Sequence, residues 1–112
     1  LEITTPAQVI AELNRIQTEA AKGVGVLFDA ETRAVTLSNT AEKEEAKAFL
    51  TAEGTVADRT ALAKYNAADA RLQADLAKAE LNRVKTKLKQ LSDAQVAVSV
   101  ISRLVELEWR SK

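Results

Sequence analysis

The residues best placed to do chemistry are bases. Between residues 78 and 90 the chain carries Lys78, Arg83, Lys85, Lys87 and Lys89 against one acid, Glu80. On a helix, 78, 85 and 89 share one side and 83 and 87 a neighbouring side, so the polar surface there is largely positive. Such a face suits a phosphate backbone, each contact releasing a counterion and making affinity salt-dependent. Arg71 and Lys47 are its outer members. The same lysines could instead neutralise Glu42, Glu44 and Glu45 on an adjacent helix, and both readings stand at this point. Base stacking would have to come from four rings, Phe28, Phe49, Tyr65 and Trp109.

Other chemistry finds little support. Histidine and cysteine are absent, which removes the commonest proton shuttle near neutral pH, thiol catalysis, disulfides and most zinc ligands. The serines have no activating base, no glycine-rich phosphate loop is present, and Glu106 and Glu108 beside Trp109 read as helix-end packing. We therefore expect no catalytic residues, no metal and no cofactor. No apolar run approaches the ~18 residues of a membrane span and no basic-then-apolar leader opens the chain, so a cytoplasmic protein is expected. With Leu1 first and no methionine, either the initiator has been removed or the numbering starts inside a longer product.

The elements that must position these groups are helices. Alanine, leucine, glutamate, lysine and arginine dominate 112 residues that hold three glycines and one proline, which favours an all-α fold in a single domain, 1–112. Thr5, Pro6 and Gln8 make a capping box with a preset first turn, and Val9, Ile10, Leu13, Ile16 and Ala20 recur at threes and fours. A helix over 6–22 follows. Gly23 and Gly25 predict a break. A second, alanine-lined helix spans 26–53, with Val35-Thr36-Leu37 and Ser38-Asn39-Thr40 as weak places. Gly54, Thr55 and Asp58 give a glycine stop and a new capping box, hence a hairpin at 53–55. From 56 to 112 nothing forces a stop, although Ser92 and Gln95 could restart the helix near 92, and break and continuation are both open.

Ala77, Leu81, Val84, Leu88 and Leu91 alternate spacings of four and three, a coiled-coil seam. Beyond Ser92, apolar residues surround nearly the whole helix, and a helix apolar all round must be buried all round. With so many alanines the core of one chain is thin, so the fold is expected to be completed by oligomerisation through Val98, Ile101, Leu104, Val105 and Trp109; a central helix of a monomeric bundle is the alternative. Net charge is zero overall, yet residues 1–58 hold ten acids against five bases and residues 59–112 six acids against eleven bases. Either a polyanion or pairing of the two halves would use that asymmetry.

The layout of a capped first helix, a second helix ending in the 47–54 stretch KAFLTAEG, a hairpin, a long basic helix and a terminal RLVELEW over 103–109 resembles the UvsY-like recombination mediators of T-even phages. The resemblance implies a protein of a phage-infected or lysogenic bacterium that self-assembles through its C-terminal helix and binds single-stranded DNA by its backbone. It further implies help for a recombinase in displacing single-strand-binding protein. That family carries a basic pair before the hairpin, where this chain has only Lys43 and Lys47 among Glu42, Glu44 and Glu45. The departure leaves two expectations: a DNA-binding recombination accessory protein whose DNA surface has moved to 78–89, or a structural or adaptor coiled-coil protein, such as a phage assembly factor, without nucleic acid.

Overall fold

The computed structural model describes residues 5–111 and contains, among them, three helices and no strand. These are α1, Pro6–Thr51; α2, Val56–Asn66; and α3, Ala68–Arg110. They group into two compact units, one made of residues 5–26 with 84–111 and the other of Leu27–Arg83.

Both expected capping boxes form. The Thr5 amide donates to Gln8 Oε1 (3.1 Å) and the Gln8 amide to Thr5 Oγ1 (3.3 Å). Thr55 and Asp58 make the same reciprocal pair at 3.4 and 3.2 Å, satisfying amides that a helix start leaves without partners. Within the first turns of α1, Arg15 reaches Glu12 at 2.6 Å and holds that carboxyl below its usual pKa.

The break expected at Gly23 and Gly25 is not there: α1 runs unbroken for 46 residues. The reason lies in packing. A Cβ placed on Gly23 would run into Leu88 Cδ2, whereas one on Gly25 would meet nothing within 4 Å. Gly23 is thus a place where α3 comes close, and tertiary burial outweighs the ~1 kcal/mol that glycine costs a helix interior. We expect Gly25→Ala to raise unfolding stability by about 1 kcal/mol. Gly23→Ala, which must push Leu88 aside, should lie about 1–3 kcal/mol below it. Thermal or urea melts of the two variants check the difference, and equal stabilisation by both would contradict the close approach.

The 36–40 stretch is also helical, with Thr40 Oγ1 donating to Thr36 O rather than opening a turn. Likewise α3 passes Ser92 without a restart. The single interruption in the expected 56–112 helix is at Ala67, buried between α2 and α3, and nothing in its residue chemistry announced it. Hydrogen bonds of helical span still cross it, Ala67 N to Ala63 O and Arg71 N to Ala67 O. Lys112, where that helix was expected to end, lies outside the described residues.

The hairpin takes up residues 52–55, one more than expected, because α1 ends at Thr51. Gly54 has φ +112°, a backbone state that side chains disfavour. Arg59 then reaches back, its guanidinium donating twice to Phe49 O (3.2 and 3.1 Å) while lying 4.3 Å over the Phe49 ring. One side chain satisfies a helix-end carbonyl and covers an aromatic face.

Burial follows heptads. In α3 and α2, Ala63, Ala70, Ala77, Val84, Leu91, Val98 and Val105 recur every seventh residue, and each is buried or half-buried. In α1, positions 9, 13, 16, 20, 23, 27, 30, 34, 37 and 41 alternate fours and threes, and each is likewise buried or half-buried. The Leu27–Arg83 unit is closed almost wholly by alanine: Ala30, Ala34, Ala41, Ala63, Ala67, Ala74 and Ala77 are its buried residues. The other unit has bulkier contacts, with Val9, Ile16, Val98 and Val105 as its core and Leu13, Ala94 and Ile101 against them.

Candidate functional site

The oligomerisation residues divide. Val98 and Val105 are buried and Ile101 half-buried, and they pack within the chain against Val9, Leu13 and Ile16. The expectation that one hairpin cannot cover this segment fails for Val98 and Val105, which Val9, Leu13 and Ile16 of α1 cover. Leu104 stays 63% exposed and Trp109 48%. On the side of α3 away from the core, Val96, Val100 and Leu107 are also more than half exposed. Apolar composition, which marks the segment as greasy all round, does not separate these from the core set. Heptad phase separates them, since Val98 and Val105 belong to the seven-residue series that starts at Ala63.

Trp109 has its own setting. With Pro6, Val9, Ile10 and Val105 it lines an open groove of about 410 Å³. Its walls are mostly apolar, and the nearest charges, Glu106 and Arg110, are paired with each other at 2.6 Å.

The basic cluster also divides. Arg71 donates to Glu45 at 3.1 Å, and Arg83 sits 3.4 Å from Glu80. Both pairs are part-exposed, so each contributes modestly. Glu45 occupies a half-buried place in the α1 stripe, and Arg71 makes that place tolerable for a carboxylate. Lys78 is exposed in the Leu27–Arg83 unit, near Glu42 around a shallow groove but with no ion pair to it. Lys47 is exposed on α1. Lys85, Lys87 and Lys89 are exposed in the other unit, and no carboxylate of the described residues lies within ion-pair distance of them. Of the acids proposed to neutralise the cluster, Glu45 alone has a basic partner, and that partner is an arginine. Of the rings, Phe28 and Tyr65 are exposed, while Phe49 is engaged by Arg59.

Among the described residues no group of three or more His, Cys, Asp or Glu is arranged to hold a metal ion, and no helix is long and apolar enough to cross a membrane. No protein-family model, curated protein or solved structure matches the chain.

Proposed function

We propose that this chain is a non-catalytic, self-assembling helical protein whose business is to hold partners or copies of itself together, and that its assembly surface is the outer face of α3 around Val96, Val100, Leu104 and Leu107. The observation that carries the reading is apolar exposure along one helix. Val96, Val100, Leu104 and Leu107 of α3 are each more than half exposed, and they are valine and leucine side chains that water disfavours. Amine-reactive cross-linking across a dilution series tests it. Bands at whole multiples of the chain mass, fading on dilution, are expected; a lone monomer band at every concentration would overturn the reading.

A second reading is favoured by the three lysines without carboxylate partners: Lys85, Lys87 and Lys89 grip the phosphate backbone of single-stranded DNA, and assembly repeats the patch to raise avidity. The role beside a recombinase and single-strand-binding protein in a phage-infected bacterium rests on the resemblance alone. We expect oligonucleotide binding that falls steeply between ~50 and ~200 mM salt and varies little with sequence. Lys85→Ala with Lys87→Ala and Lys89→Ala should lower affinity at least tenfold at low salt and flatten the salt slope by about 2. Anisotropy of a labelled oligonucleotide reads both. Undetectable binding, or binding untouched by the triple change, leaves the first reading alone.

A further inference from the structure

We infer that two copies pair in parallel and in register through the outer face of α3, with Arg103 of each chain meeting the partner's Glu108. The inference rests on the self-assembly reading and adds the occupant and its direction. Ala97, Val100, Leu104 and Leu107 are all exposed and follow spacings of three, four and three, a second heptad seam on the side of α3 away from Val98 and Val105. A seam of that kind is completed by another helix of matching pattern, and a second copy supplies one.

Charge sets the direction. In a two-stranded coiled coil the residue just before one core position faces, in a parallel partner, the residue five places later that follows the next core position. Here those flanking places hold Val96 and Arg103 on one side and Ile101 and Glu108 on the other. A parallel, in-register pair therefore sets Val96 against the partner's Ile101 and Arg103 against the partner's Glu108, each twice by symmetry. An antiparallel pair that matches Ala97 with the partner's Leu107 and Val100 with the partner's Leu104 instead brings Arg103 against the partner's Arg103. Like charges at such flanks oppose pairing, and opposite charges favour it. Arg103 is exposed and makes no ion pair with the described residues.

The chain has no cysteine, so single cysteines report direction without background. Val100→Cys alone, mildly oxidised, should give a disulfide-linked dimer, because in the parallel arrangement position 100 faces itself; Leu104→Cys alone should do the same. Glu108→Arg and Arg103→Glu should each weaken assembly about tenfold, through two lost exposed pairs, and an equimolar mixture of the two should recover it. The direction is overturned if neither cysteine variant links alone but their mixture does, which is the antiparallel result, or if an assembly forms and no combination links. A wild type that sediments as a monomer would instead remove the self-assembly reading beneath it.

Discussion

Val100→Glu together with Leu104→Glu will reduce the assembly to a monomer that keeps its helices, while Val98→Glu, two residues away, will melt the fold. The contrast follows from position on α3. Val100 and Leu104 are 55% and 63% exposed within the chain, so carboxylates there remain hydrated in the monomer and are buried only if a partner covers them. Val98 is 6% exposed among Val9, Ile16 and Val105, where a carboxylate without a partner costs several kcal/mol. Folded small domains have about 5–15 kcal/mol in hand, so Val98→Glu should leave a largely unfolded chain. Circular dichroism and light scattering on the same samples distinguish the outcomes. A double variant that keeps the wild-type mass would show that the outer face is not the interface.

The second large effect concerns Ile16, the largest side chain that is fully buried, at 1% exposure. Its unit owes its closure to a short set of branched residues, so removing one bulky member leaves a cavity that neighbouring helices fill only in part. Ile16→Ala should cost about 2–5 kcal/mol, a fall in melting temperature of roughly 10 °C or more at this chain length. Val24→Ala, at a 69% exposed site on the same helix, should change stability by less than about 0.5 kcal/mol. Urea melts of the two variants give the comparison, and similar losses for both would contradict the assigned core.

The helical class, both capping boxes and the glycine hairpin were legible because each depends on residues within a few positions of one another. Thr5 with Gln8 and Thr55 with Asp58 need nothing from elsewhere in the chain. What failed to show depends on distant contacts. Gly23 has the local character of a helix stop, and only the approach of Leu88 reveals it as a packing site. The interruption at Ala67 falls on the best of helix formers. Arg59's reach to Phe49 O and Arg71's to Glu45 join residues ten and twenty-six positions apart.

The candidate surface was half legible for a different reason. Composition marks 94–107 as too apolar for one covering helix, but it does not say which side that helix covers. The seven-residue series from Ala63 to Val105 carries the missing information, and it resides in residue spacing alone. For the lysines, their positive surplus was plain, whereas the lack of carboxylates around Lys85, Lys87 and Lys89 depends on where the other elements lie.

Sedimentation equilibrium of the wild-type protein over ~1–100 µM tests the central claim most directly, since it needs no substitution and no presumed partner. Self-assembly requires a mass that rises with concentration to a whole multiple of 12.1 kDa; a mass fixed at 12.1 kDa throughout would contradict it.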